Sequence, residues 1–291
     1  VTRLAIPRFG PAGNPEAFYD SGHKASAEMP FWLKNQGLTA YEYSVSRGVN
    51  IREATARKIG LAAKEAGISL SLHAPYYINL ATEDEQIAQN TLRHIVKTLE
   101  AAEFMGGDRV VFHMGSPGKQ SREQAMERVL KRFSVVLEEV ERLGLSHIHL
   151  APETMGKKNQ LGTLEEVLAV CKLGRQCIPA VDFGHLHAVT CGDYLTKPEF
   201  QAVFDRIGET LGSEIAAAIH IHFSKIEFTM GGEKRHWTFD DPFGPPFEPL
   251  MEVIADGDLA PRVICESAGT QDKDAKAMQA YYTQYQMNKQ A

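Results

Sequence analysis

Cysteine is scarce in this chain: four in 291 residues, Cys171, Cys177, Cys191 and Cys265, with no C-x-x-C pair among them. That spacing excludes a thiolate zinc knot and offers no disulfide framework, so buried free thiols are expected. Long apolar runs are missing too. No window reaches the roughly 18 uninterrupted apolar residues of a membrane span, and VTRLAIPRFG lacks the apolar core of a secretory signal. No membrane partner is expected, and the cytoplasm is the default location. Nor is there an excess of positive charge, since 31 Lys and Arg against 37 Asp and Glu leave a net −6. This argues against a generic nucleic-acid coat working through a basic face. Local recognition stays open, because divalent cations in a site reverse the local sign and themselves attract phosphate. There is no repeat of fixed period and no low-complexity tract.

What is present is an ordinary globular composition, 43% hydrophobic and 23% charged, with ample material for a core. The runs ISLSLHAPY, RVVFHMGS, HIHLAPET, IPAVDFGHLHA, AIHIHFSK and RVICESA are rich in Val, Ile and Leu, and each is followed by a helical pattern. Continuous apolar strands are those covered by helices on a parallel sheet. Strands are predicted at 2–8, 39–46, 68–74, 108–114, 147–153, 177–183, 215–223 and 262–267, and eight is the count of a closed (β/α)8 TIM barrel. Helices are predicted near 27–36, 50–66, 83–106, 121–144, 163–174, 197–212, 245–256 and 272–288; the helix before the fifth strand opens on a Ser121-x-x-Gln124 capping pattern and closes at Gly144. Residues 1–291 are read as one α/β domain, expected to be a monomer. Two long connections, 9–26 and 224–245, stand out as candidates for function.

At or just beyond the strand ends sit His73, His113, Glu153, Asp182, His185, His220, Glu233, His236 and Glu266. A lone strand histidine is more often a packed core residue than a ligand, but six strands ending in His, Asp or Glu converge at the C-terminal face of a barrel. Mixed imidazole and carboxylate suits zinc, manganese or iron, whereas an all-oxygen set would suit magnesium or calcium. Asp182 and His185 lie three apart across a strand end, where the chain can turn both toward the barrel mouth, and they need not share one metal. His147, His149 and His222 share strand parity with the ligand candidates and are assigned to interior packing or ligand orientation, and His23, His94 and His187 to surface or packing.

HAPYYINLA at 73–81, FHMGS at 112–116, ETMG at 153–156, VDFGHLHA at 181–188, HIHFSK at 220–225, KRH at 234–236 and ESA at 266–268 together resemble, in order, the endonuclease IV family of apurinic/apyrimidinic endonucleases. That resemblance implies a barrel holding three zinc ions and cleaving double-stranded DNA 5′ to an abasic nucleotide in base-excision repair. It implies His73, His113 and Glu153 on a first ion, Glu153 bridging to a second held by Asp182, His220 and Glu266, and His185 and His236 on a third. The third ion's aspartate is replaced by Lys234, whose ammonium repels a cation, so Glu233 is the substitute or the site is weakened. The expected cofactor is therefore two or three zinc ions, with manganese accepted by the same ligands. Tyr76 and Tyr77 fall where the family probes DNA; Arg47, Lys225 and Arg235 are candidate phosphate or base contacts, against the alternative of a buried Tyr pair and solvated charges. Glu153 is the expected catalytic residue.

The rival is a metal-dependent sugar isomerase or epimerase of the same barrel superfamily, whose single metal would be satisfied by Glu153, Asp182, His220 and Glu266. His73, His113, His185 and His236 are superfluous for one ion and expected for two or three. A noncatalytic binding barrel has nothing in its favour, and fold alone does not choose among these functions.

Overall fold

The computed structural model describes residues 6–290. Eight parallel strands form the barrel: β1 (Arg8–Pro11), β2 (Ala40–Ser44), β3 (Ser69–His73), β4 (Arg109–Phe112), β5 (His149–Pro152), β6 (Ala180–Asp182), β7 (His220–Phe223) and, last in the chain, β10 (Arg262–Cys265). They hydrogen-bond in two runs, β2-β3-β4-β5 and β6-β7-β10-β1. Parallel bridges Ala12–Glu42 and Glu153–Ala180 join the runs, closing the cylinder. Most of the predicted first strand, 2–8, lies outside the described residues; the strand that is described begins at Arg8.

Helices α1 (Glu16–Asp20), α2 (Met29–Asn35), α3 (Glu53–Ala66), α4 (Glu85–Met105), α5 (Arg122–Arg142), α6 (Leu164–Cys171), α7 (Phe183–Val189), α8 (Lys197–Leu211), α9 (Ser213–Ala217), α10 (Glu248–Asp256) and α11 (Gln271–Gln290) surround or link the strands. Local chemistry sets their ends. Ser121 accepts from Gln124 N while Gln124 Oε1 accepts from Ser121 N, the reciprocal box read from the sequence. Gly106 ends α4 at φ 66°, a left-handed cap that costs glycine little. The apolar faces of these helices meet the outer faces of the strands, as where Phe112 of β4 stacks on Phe133 of α5 at 5.5 Å. At the opposite end from the strand C-termini, Arg262 ties the floor, forking onto Asp108 at 2.7 and 2.9 Å and donating to Leu70 O at 2.9 Å.

The structure departs from the sequence reading in four places, the first being α7, which follows β6 where no helix is predicted. The predicted strand 215–223 begins only at His220, because Ser213–Ala217 winds into α9. Part of the 9–26 connection is α1. The 224–245 connection carries an antiparallel hairpin, β8 (Lys225–Thr229) and β9 (Gly232–Trp237), that rises beside the barrel mouth. Cys171, Cys177 and Cys265 are buried, Cys191 is half-buried, and all four are free thiols. No helix among the described residues is long and apolar enough to cross a membrane.

Candidate metal centre

Strand direction brings the C-terminal ends of β3, β4, β5, β6, β7 and β10 to one rim, and the ligand-type side chains meet there. Glu153 stands at the centre, just past β5 and buried. Its Oε2 lies 3.1 Å from His73 Nε2 and 3.0 Å from His113 Nε2, while its Oε1 lies 3.0 Å from His222 Nδ1. One carboxylate thus serves two groups of donors, His73–His113–Glu153 and Glu153–Asp182–His222–Glu266, each with its donor atoms within 4.8 Å of one another. Burial would push the Glu153 carboxyl up, but His222, His113 and His73 outweigh it and hold it well below the ordinary carboxylate range.

The second group corrects the sequence assignment. His220, expected beside Asp182 and Glu266, instead lies lower on the axis with Nε2 3.0 Å from Glu42 Oε2, and His222 takes its place. Strands climb toward the rim, so of two inward-facing residues the later is nearer the mouth. Asp182 caps α7 by accepting from His185 N at 2.8 Å through Oδ1. This helical turn is why two residues three apart face the same way. Its other oxygen, Oδ2, is buried without a hydrogen-bond partner, and burial raises the Asp182 pKa. A buried carboxylate oxygen left over in this way fits a cation ligand.

The third group is His185–Glu233–His236, with His185 Nε2 3.5 Å from Glu233 Oε2 and His236 Nε2 3.6 Å from Glu233 Oε1. Residues three apart on a strand should face opposite ways. The hairpin register solves this: Glu227 pairs with Arg235 but Phe228 with Glu233, leaving Lys234 as the extra residue of a β-bulge. Glu233 and His236 then share the inner face, while Lys234 turns out to bond Glu227 at 2.5 Å. The lysine that would repel a cation points away from it. Glu233 gets close because Gly156 has no side chain and because Glu233 N donates to Gly156 O at 2.7 Å.

Three imidazoles are fixed through Nδ1. His73 Nδ1 bonds Ala74 O at 2.8 Å, His185 Nδ1 bonds Thr154 O at 2.8 Å, and His236 Nδ1 lies 2.8 Å from the Ser224 hydroxyl. Each leaves Nε2 for a ligand, the usual arrangement around a metal. Burial opposes protonation of His73 and His236, but Glu153 and Glu233 respectively pull each up to about 9. Glu233, also disfavoured by burial, is brought down to about 2 by His236 and His185. Protons and cations therefore compete for the same atoms.

Around the rim, Tyr76 and Tyr77 are 66% and 42% exposed and meet edge to face at 5.5 Å, which rules out a buried pair capping the barrel. Arg47 is exposed on the loop after β2. Arg235 is exposed and lies 4.3 Å over the Trp237 ring, itself stacked on Phe243 at 5.3 Å. Lys225 is a different case: its ammonium donates to Phe239 O and Asp241 O, both at 2.7 Å, so it ties down the loop after β9. His147 is also corrected, since it is exposed and paired with Glu103 at 2.6 Å, and His149 bonds Gln176 O at 3.2 Å. The sequence reading missed Glu42, mid-strand in β2, and the Trp237–Phe243 stack. Glu42 shares its strand parity with the buried Ala40, and that was the available signal.

Compared with known proteins, residues 30–284 match the family described as xylose isomerase-like TIM barrel. The uncharacterized protein MJ0133 of Methanocaldococcus jannaschii is 33% identical over 261 residues, covering 89% of this chain and 91% of that one. A probable endonuclease 4 of Acholeplasma laidlawii is 27% identical over 180 residues, 60% of this chain and only 59% of its own length. Among solved structures, a D-tagatose 3-epimerase-like protein aligns with a TM-score of 0.71 at 18% identity over 98% of this chain and all of that one. Endonuclease IV from Thermus thermophilus aligns with a TM-score of 0.68 at 20% identity over 96% of this chain and all of that one. At such identities these two structures speak for the fold alone.

Proposed function

The chain belongs to the xylose isomerase-like TIM barrel family, and from that premise we propose that it is a metal-dependent phosphodiesterase that cleaves DNA 5′ to abasic sites. The observation that carries this reading is the His185–Glu233–His236 group. A sugar isomerase or epimerase needs one cation, which Glu153, Asp182, His222 and Glu266 would hold by themselves. A third donor group has no use in that chemistry and a clear one in phosphodiester hydrolysis, where attacking oxygen, phosphoryl oxygens and leaving alkoxide all need charge compensation. The relatives called probable endonuclease 4 lend support.

In this reading His73, His113 and Glu153 hold one cation, Glu153, Asp182, His222 and Glu266 a second, and His185, Glu233 and His236 a third. Zinc suits this mixture of donors, and manganese is accepted by the same types. Bound there, such ions ionise water at neutral pH and neutralise phosphoryl charge. The chain's own part is to hold the cup and to present the DNA. Glu153 keeps two donor groups in register through its two oxygens. The exposed Tyr76 and Tyr77 lie beside the cup, ready to stack on bases and occupy the space left by an extruded nucleotide. Arg47 and the Arg235 guanidinium contact phosphate or the opposing strand.

The test is elemental analysis of the purified protein together with cleavage of a duplex carrying one abasic analogue. Three ions, or two with cleavage, are expected. One ion with an intact duplex would discard this reading in favour of the sugar isomerase. Glu153→Gln should abolish cleavage while the chain remains folded, and retained cleavage in that variant would sink the assigned role.

A further inference from the structure

Below the cup, on the barrel axis, lies a fourth cluster, Glu42–His220–His222, whose donor atoms also lie within 4.8 Å of one another and which shares His222 with the second group. Glu42, fully buried, points inward from the middle of β2. Its Oε1 is 2.9 Å from His222 Nε2; its Oε2 is 3.0 Å from His220 Nε2 and accepts from Ser71 Oγ at 2.9 Å. Ser71 is the β3 residue directly paired with Glu42, and the two histidines come from β7 across the barrel. Barrel axes are ordinarily filled by branched apolar residues, and an ionised carboxylate in one is costly without partners. Burial pushes the Glu42 carboxyl up, yet His222 and His220 outweigh it and hold it well below the ordinary carboxylate range.

His222 is the link to the cup. Its Nδ1 faces Glu153 and Glu266 at 3.0 and 3.6 Å, and its Nε2 faces Glu42. The Glu42 contact is a close charge pairing, not an aligned hydrogen bond. A carboxylate that close disfavours a lone pair on Nε2 and favours a proton there; Glu153 Oε1, hydrogen-bonded to Nδ1 at 3.0 Å, draws a proton the other way until a cation among Glu153, Asp182 and Glu266 would displace it. We propose that Glu42 is a positioning residue: it keeps the His222 proton on Nε2, so that the Nδ1 lone pair faces Glu153, Asp182 and Glu266, while Ser71 and His220 hold the carboxylate in place. The inference rests on the reading that this group takes a cation, and it adds a remote anion that sets how strongly His222 binds it.

Glu42→Gln keeps the shape, removes the charge and offers an amide N–H to Nε2, which drives the proton onto Nδ1. The metal-stripped full-length chain, wild type and variant, is titrated with zinc against a competing chelator, and the zinc-loaded forms are compared by 15N spectroscopy of the histidine rings. For one ion the variant's affinity should fall about 10- to 100-fold with stoichiometry unchanged, and the His222 Nε2 proton signal should be lost or shifted. Wild-type affinity in the variant overturns the proposal, as does loss of a whole ion, which would make Glu42 a ligand. A wild type that takes up no zinc would overturn the underlying reading and this proposal with it. Should Glu42→Gln not fold, Ser71→Ala removes only the hydroxyl that holds Glu42; a loss of a few-fold in affinity is expected, and none would refute the idea.

Discussion

Gly156→Ala isolates the third donor group. An alanine Cβ at this position would stand 2.7 Å from both Glu233 Cβ and His185 Cδ2 and 2.8 Å from Glu233 Oε2. Gly156 is not at positive φ, so the backbone accepts alanine and the penalty is steric. Neither neighbour yields easily. His185 is bonded to Thr154 O, and the Glu233 backbone to Gly156 O itself. Overpacking a tight site costs about 1–3 kcal/mol. Relief comes from moving Glu233 out of the cup, so the cost falls on the third cation, and at 1.4 kcal/mol per tenfold this is a loss of roughly 5- to 150-fold in its affinity. Chelator competition on the zinc-loaded protein should show two ions held as in wild type and one held weakly. Cleavage of the abasic duplex should slow in parallel and recover at high zinc. Wild-type affinity for three ions would refute the placement of Glu233, as would a uniform loss at all three.

Other expectations follow from the same geometry. The metal-free protein should lose stability as pH rises from about 6.5 through 9: His73 and His236, raised from 6.5 to about 9, contribute fully below 6.5 and stop contributing once deprotonated, on the order of 3 kcal/mol each as a ceiling. Zinc affinity should run the other way, rising over that interval; thermal melts with and without zinc at a series of pH values check both, and parallel trends would contradict the assignment. Tyr76→Ala should reduce cleavage of the abasic duplex about tenfold, within the roughly 1–3 kcal/mol of a base–aromatic stack, with zinc stoichiometry unchanged. An unaltered rate would remove Tyr76 from the DNA surface. Lys225→Met should cost about 1–3 kcal/mol in a denaturant melt through its two lost charged hydrogen bonds, leaving the salt dependence of DNA binding as it was; a reduced salt slope would restore Lys225 as a phosphate contact.

The barrel was legible because its signal repeats: all eight predicted strands overlap observed ones, the first only at Arg8 because the rest of it lies outside the described residues, and His73, His113, Glu153, Asp182 and Glu266 stand where apolar runs end. Harder to read were features decided by geometry finer than the strand period. His220 and His222 have the same parity, and only their height on the axis separates the one beside Glu153 and Glu266 from the one beneath it. Glu42 ends no run and has no partner nearby in sequence; its meaning appears only when β7 lies opposite. The bulge at Lys234 is invisible to a period-two reading, although the need for it was visible once a lysine stood where an acid was wanted. Lys225 looked like a free cation because the carbonyls that bind it come from Phe239 and Asp241, across the hairpin.

The anchoring of His73, His185 and His236 through Nδ1 separates custody of the shape from custody of the charge. In small zinc modules the ion is the keystone, and removing it collapses the arch. Here each ring is mortared to a backbone carbonyl or a hydroxyl, and on the proposed reading the cations would be tenants. Such a vessel would be emptied and refilled without being rebuilt, so the metal it took would be decided by what the surroundings supply and at what acidity, more than by any step of folding.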